Sequence, residues 1–216
     1  MGRASSVLLA WCDPGDTSGD FTASLAGMFL HSPPGDFLRL RTGPRLAEAR
    51  NQVVDRFAGT DFDWLFFLDS DMVCKRDALD RLLEVADRDN APIVGGLCRT
   101  ADGDPVMFRF INTDLDAERV TEWEDGELVD VDATGGACLL VHRRVFAAMK
   151  HQFATLPSGA ENPYPWFIDG MTSKKGAPFG EDTAFCVRAR SMGIPIAVHT
   201  GVKIGHVKTH IVGEVA

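Results

Sequence analysis

The stretch Asp63–Cys74, DWLFFLDSDMVC, constrains this chain more than any other. Trp64 to Leu68 are apolar without interruption, too few for a helix of ordinary length and with no polar residue to face water. That pattern predicts a strand buried on both faces. The run ends in Asp69, Ser70 and Asp71. Side chains alternate along an extended chain, so Asp69 and Asp71 are expected to project together from the strand's carboxyl end. Open α/β sheets bind their ligands at that end. Two carboxylates about 5 Å apart at an effective dielectric of about 20 repel by roughly 3 kcal/mol, and a bound divalent cation would reverse that cost. Oxygen ligands suit Mg²⁺ or Mn²⁺, ions that neutralise charge on a departing diphosphate.

The flanking sequence predicts the sheet around this strand. Ser6 to Cys12 form a first apolar strand, closed by a turn at Asp13, Pro14 and Gly15. Phe21, Leu25, Met28 and Phe29 recur at helical spacing behind a cap at Ser18 or Asp20. A short strand at Phe37–Leu40 precedes a helix expected from Pro44, with Leu46, Val53, Val54 and Phe57 inward and Gly59 as its stop. After the central strand come a helix carrying Leu79, Leu82, Leu83 and Ala86 and a strand at Pro92–Leu97. The order β-α-β-α-β-α-β implies an α/β fold with a mostly parallel sheet covered on both faces.

Beyond Pro105 the texture changes. Short strands are expected at Val106–Phe110, Arg119–Trp123 and Glu127–Val131, with a strand at Ala137–Val141 and a helix from Arg143 or Arg144 to Met149. Residues 151–179 carry Pro, Gly, Asn and isolated aromatics with little periodicity, and a loop of that length is expected to be functional or disordered. A helix from Thr183 to Met192 and a strand at Ile194–Val198 close the pattern.

Composition narrows the function classes. A chain of 216 residues, 45% hydrophobic, can bury one good core and reads as a single domain. A formal net charge of −9 argues against an extended nucleic-acid footprint. The five cysteines are odd in number and scattered, which predicts buried free thiols in a reducing compartment. No run approaches eighteen apolar residues, and the first apolar run is too short for a signal peptide, so no membrane insertion and a cytoplasmic location are expected.

Several other residues could carry chemistry. His206, beside Gly205, could close over a metal held elsewhere and would favour Mn²⁺ over Mg²⁺; His210 competes for that role. Glu181 and Asp182 open a helix, as dipole-favoured caps or as a general base for an acceptor hydroxyl. The Gly135-Gly136 pair would let backbone approach a ligand or simply turn the chain. Arg50, read as outside the apolar stripe of its helix, and Asn51 could contact base or phosphate or be solvated. The aromatics around Trp166 suit stacking on a sugar or base, or core burial.

Four segments, taken in order and spacing, resemble the GT-A nucleotide-sugar glycosyltransferases and in particular their large inverting, family 2-like branch. They are DWLFFLDSDMV, VDATGGACLLVHRRVF, FGEDTAFCVRARSMGIPI and GHVKTH, with a weaker match at EARNQVV, Glu48–Val54. The resemblance implies a GT-A fold over residues 1–216, with 1–98 the nucleotide-binding half and 99–216 the acceptor-binding half, including a mobile loop at 151–179. It implies that Asp69 contacts ribose and the metal shell, that Asp71 binds the metal directly and that His206 is the trailing ligand. Asp182 would be the catalytic base with Glu181 its neighbour at the acceptor site. Trp11 and Asp13 would lie near the nucleotide base, and Arg50, Asn51, Ser70, Gly135 and Gly136 would line the donor site. The implied reaction is metal-dependent transfer, with inversion, from a UDP- or GDP-sugar to a hydroxyl on a glycan, protein, lipid or modified nucleic acid. Many relatives carry an acid after the second strand to read uracil. Here that place holds Arg39, Arg41 and Thr42, which leaves the base open.

Two rival readings accompany this one. LFFLDSDMV also fits haloacid-dehalogenase-like phosphatases, with Asp69 as covalent nucleophile and Asp71 as general acid, although over sixty residues precede the strand and no later lysine is expected at a strand end. A non-catalytic nucleotide-sugar-binding module would keep the site without needing a base at Asp182. No Gly-rich, Lys-containing loop near Ser6–Gly19 supports a nucleotidyltransferase.

Overall fold

The structure, a computed structural model, describes residues 6–43 and 45–207. The amino-terminal half runs β1 (Val7–Asp13), α1 (Gly19–His31), β2 (Asp36–Arg41), α2 (Leu46–Ala58), β3 (Trp64–Leu68), β4 (Met72–Val73), α3 (Ala78–Val85) and β5 (Ile93–Leu97). Then come β6 (Met107–Phe110), β7 (Ala117–Arg119), β8 (Leu128–Val131), β9 (Ala133–Thr134), β10 (Cys138–His142), α4 (Arg143–Gln152), α5 (Glu181–Ser191), β11 (Ile196–Lys203) and β12 (Gly205–His206).

A seven-stranded sheet in the order β2-β1-β3-β10-β5-β11-β8 forms the centre. β2, β1 and β3 are mutually parallel, as are β5 and β11, while β10 and the edge strand β8 run against their neighbours. β10 is antiparallel because no crossover helix lies between β5 and β10. A parallel neighbour needs a crossover to carry the chain back to the starting side of the sheet. Without one, the chain can fill the gap between β3 and β5 only from the opposite end.

The two faces of the sheet read directly off the alternation in β3. Leu65 and Phe67 join a core with Val53, Val54 and Phe57 of α2, Phe146 of α4 and Phe185 of α5. Trp64, Phe66 and Leu68 join a second core with Phe21 and Met28 of α1 and Leu79 and Leu82 of α3. Each such large side chain stabilises the fold by about 1.5–3 kcal/mol on burial. Ser18 is the cap of α1, its hydroxyl accepting from the Phe21 N–H at 3.0 Å. The expected helix start at Pro44 lies outside the described residues, as does His210.

Several boundaries differ from expectation. β7 covers Ala117–Arg119 and not Arg119–Trp123, and it pairs with β6 in a small antiparallel sheet with β9. β8 leaves that small sheet for the edge of the main one, against β11. β11 extends to Lys203, well past Val198, with a register shift against β5 between His199 and Lys203, so that a lysine does end a strand, against expectation. α5 begins at Glu181, two residues before the expected start.

Residues 153–180 hold no helix or strand, yet their middle is tied to the core. Trp166 and Phe167 are 2% and 1% exposed, and the Trp166 indole N–H donates to the Phe146 carbonyl at 2.9 Å. These two aromatics are core residues, unavailable for stacking on a sugar, and the expected loop is anchored at its centre. All five cysteines are free and buried. Among the described residues no helix is long and apolar enough to cross a membrane.

Candidate active site

Three carboxyl ends of parallel strands, from β1, β2 and β3, open onto one cleft of about 370 Å³. Small-molecule sites run roughly 300–1,000 Å³. One wall is Cys12, Pro14, Asp16 and Ser18, the second is Thr42, Gly43 and Leu46, and the floor is Asp69, Ser70 and Asp71, with Val207 at the rim. Of these walls the sequence marks only Thr42, as part of the place after β2; Cys12, Pro14, Asp16, Ser18, Gly43 and Leu46 are not expected in the cleft. The signal was present, since the residues just after every parallel strand in the first half face the same crevice.

The two aspartates after β3 part company. The strand ends at Leu68 and the chain turns, the Met72 N–H donating to the Asp69 carbonyl at 3.0 Å. Strict alternation therefore stops one residue before the acidic pair, and the expectation that both carboxylates project together is corrected. Asp69 turns inward, where Arg50 Nη2 donates to its Oδ1 and Oδ2 at 3.1 and 2.9 Å. Asp71 turns outward, its side chain 51% exposed, and its Oδ2 lies 2.7 Å from His206 Nε2.

The tail reaches Asp71 through backbone pairing. β12 runs antiparallel to β4 with His206 opposite Met72, and the Val207 N–H donates to the Asp71 carbonyl at 2.8 Å. This small ladder sets the imidazole beside a carboxylate 135 residues earlier in the chain. One carboxylate and one imidazole fit two ligands of a divalent cation of the Mn²⁺ type. Asp69 does not join them, and among the described residues no group of three His, Cys, Asp or Glu side chains is gathered to hold a metal.

Behind the cleft lies a buried charge cluster. Arg50 is 2% exposed, and its Nη1 stands 3.1 Å from Glu181 Oε1. The side chain sits beneath the cleft, not in its lining. Burial alone would weaken the Arg50 hold on its proton, but Asp69, Glu181 and Asp182 outweigh it and raise its pKa. Burial pushes the Asp69 carboxyl up; Arg50 pulls it down, and Asp71 and Asp182 push it up again, leaving it above the usual range. Glu181 is raised in the same way, by burial first and with Arg50 opposing.

Asp182 is held by two backbone donors, the Gly136 N–H to Oδ2 at 3.2 Å and the Thr183 N–H to Oδ1 at 2.6 Å. α5 thus opens with Glu181 turned to Arg50 and Asp182 turned to the Gly135-Gly136 turn. Gly136 has a definite reason to be glycine. A Cβ there would lie 1.8 Å from Arg50 Nη1. The bare α-carbon admits a guanidinium, not a ligand.

Other expected donor residues are committed elsewhere. Asn51 is 1% exposed, and its amide donates to the Ala47 and Phe167 carbonyls and accepts from the Phe167 N–H. It anchors the 153–180 segment to α2 and has no amide group left for a nucleotide. Trp11 is 7% exposed, stacked on Phe37 and edge-on to Phe21, within the core facing α1. The Asp13 carboxylate is buried and accepts from the Gly15 N–H and from Arg39 Nε. Their neighbours Cys12 and Pro14 reach the cleft instead. The phosphatase reading also meets an obstacle, because both oxygens of Asp69, its nucleophile, are engaged by Arg50.

Comparison with known proteins places this arrangement. Residues 41–215 match the family described as Glycosyltransferase like family 2. No curated protein sequence matches the chain. The crystal structure of A197 from STIV superposes with a TM-score of 0.59 at 16% identity, covering 94% of this chain and 86% of that one. The crystal structure of GalNAc-T7 with UDP, GalNAc and Mn2+ superposes with a TM-score of 0.62 at 11% identity, over 94% of this chain and 43% of that one.

Proposed function

The chain belongs to the glycosyltransferase family 2-like proteins, a glycosyltransferase with the GT-A fold, and we propose that it moves a sugar from a nucleotide-diphosphate donor to a hydroxyl acceptor with inversion. The observation that carries the reading is the meeting of Asp71 and His206 at 2.7 Å on the rim of the cleft. Asp71 and His206 would hold a divalent cation, Mn²⁺ ahead of Mg²⁺ because of the imidazole. Bound there, the cation would neutralise charge on the departing diphosphate, an effect of several kcal/mol on the barrier. The GalNAc-T7 structure with UDP and Mn2+ supports a similar donor and metal here.

Within this reading the chain's own groups divide the work. The walls at Cys12 and Pro14 and at Thr42, Gly43 and Leu46 receive the nucleoside of a UDP- or GDP-sugar, and Ser70 borders its phosphates. Asp182, aimed by the Gly136 and Thr183 N–H groups, takes the proton of the acceptor hydroxyl as its oxygen attacks the anomeric carbon. The C–O bond to the acceptor forms as the bond to the diphosphate breaks on the opposite face.

Release of nucleoside diphosphate from a panel of UDP- and GDP-sugars, with and without Mn²⁺, tests the proposal. Asp182→Ala is expected to lower turnover by roughly 10²–10⁴-fold, the range of a general base, while donor binding persists. Asp71→Asn and His206→Ala are expected to abolish the Mn²⁺-dependent thermal shift seen with donor. A wild-type chain that releases nothing from any donor would leave a binding module as the better reading.

A further inference from the structure

Arg50 is a poor choice for stability alone. It is 2% exposed, its Nε makes no hydrogen bond, and its Nη1 makes only an unaligned ion pair with Glu181. Buried polar groups left unpaired are costly, and replacing a buried ion pair by packed apolar residues is often neutral or stabilising. The position calls for another explanation.

What Arg50 touches supplies one. Its Nη2 holds both oxygens of Asp69 at the end of β3, and its Nη1 faces Glu181 at the start of α5. The guanidinium carbon sits 5.9 Å from the Phe67 ring centre and 5.7 Å from that of Phe167. Phe167 is itself fastened to α2 by Asn51, the residue after Arg50. One cation therefore meets the central strand, the helix that bears Asp182 and the segment joining α4 to α5.

Gly136 closes the chain of contacts. A Cβ on it would lie 1.8 Å from Arg50 Nη1, 2.7 Å from Cζ and 3.0 Å from Nη2. The same residue donates its N–H to Asp182 at 3.2 Å. The glycine that makes room for the guanidinium is thus also one of the two backbone donors that aim Asp182.

We propose that Arg50 is a positioning residue for sugar transfer, a buried cation that locks donor-side Asp69 to acceptor-side Glu181 and, through Gly136, holds Asp182 in line. The assignment of the two sides rests on the transfer reading above. The Asp182 charge also reaches the guanidinium, so three carboxylates are set against one fixed positive charge. Lysine would not reproduce the contact, because an ammonium is a point charge without a planar fork.

The experiment compares Arg50→Lys, Arg50→Ala, Gly136→Ala and the double variant Arg50→Ala/Gly136→Ala. Urea midpoints give the folded fraction, and nucleotide release from the donor panel with Mn²⁺ gives kcat and KM per folded molecule. Gly136→Ala keeps every charge yet pushes the guanidinium from its seat, so kcat is expected to fall at least tenfold. In the Arg50→Ala background the vacated space accepts the added methyl, and Gly136→Ala is expected to lower kcat less than twofold further. Methylguanidinium is expected to restore part of kcat in Arg50→Ala and none in Gly136→Ala. Wild-type turnover with kcat per folded molecule unchanged in Gly136→Ala and Arg50→Lys, only the urea midpoints moving, would reduce Arg50 to a structural residue and overturn the proposal. Losses that add in the double variant would overturn it too. A wild-type chain with no turnover on any donor overturns the transfer reading itself, which keeps the two failures distinct.

Discussion

Asp13 ends β1 and Asp69 directly follows β3, and both pair with an arginine, yet their carboxyls shift in opposite directions. Asp13 is pushed up by burial, but the Gly15 N–H and Arg39 more than reverse this and leave it below the usual range. Asp69 ends above it. The difference lies in what each arginine must serve. Arg39, its side chain 49% exposed, answers one carboxylate that also has a backbone donor. Arg50 is divided between Asp69 and Glu181, with Asp71 and Asp182 adding repulsion at Asp69. At the edge of the sheet the chemistry is settled; at its centre negative charge is concentrated beyond what the protein alone neutralises. Such an imbalance would suit the cation and the departing diphosphate proposed above.

Removing each arginine sharpens the contrast most. Arg50→Met leaves the half-buried Asp69 and Glu181 carboxylates without the buried cation they share and is expected to destabilise the fold by about 3–5 kcal/mol in urea unfolding, the cost of breaking a buried pair. Arg39→Met should cost less, about 1–3 kcal/mol, since the buried Asp13 carboxylate loses its cation but keeps the Gly15 N–H. Equal losses would break the distinction. Amide substitutions then separate the two ends by pH. The depressed Asp13 group contributes stability present above its ordinary pKa of 3.8 and lost as pH falls through its lower folded value, so Asp13→Asn should flatten the acid limb below that pH. The raised Asp69 group binds its proton more tightly when folded, so stability declines as pH rises from 3.8 through its folded value. Asp69→Asn should flatten the curve on that side instead, as measured by unfolding free energies across pH.

The sequence made much of this visible, but by unequal routes. β3 and the two-faced core follow from five consecutive apolar residues, and α1 from its serine cap and helical spacing. His206 was named, though nothing local predicts the ladder with β4 that brings it to Asp71. The antiparallel course of β10 was hidden for the same reason, since strand pairing is non-local. The burial of Arg50 is legible in the spacing of α2, against the expectation of a solvated side chain. The residue lies four residues after Leu46 and three and four before Val53 and Val54, on the inward stripe of α2, so a charged residue there is itself the mark of a buried cation. Trp11 and Asp13 lie toward the carboxyl end of β1 and Asn51 on α2, as expected, but motif position does not say whether a side chain faces cleft or core. Alternation failed at Asp69 because a turn follows Leu68 directly.

The clasp between β12 and β4 is only two residue pairs long. So short a ladder opens by local fraying at far lower cost than global unfolding. The imidazole can thus leave Asp71 while the seven central strands stay intact, and a cation gripped by both would fasten the tail. Amide hydrogen exchange at Val207 would register this as slowing on Mn²⁺ addition, with the β3 amides unchanged. If Mn²⁺ joins Asp71 and His206 as proposed, completion of the site would be a latch thrown by the ion, separable from the folding of the domain that carries it.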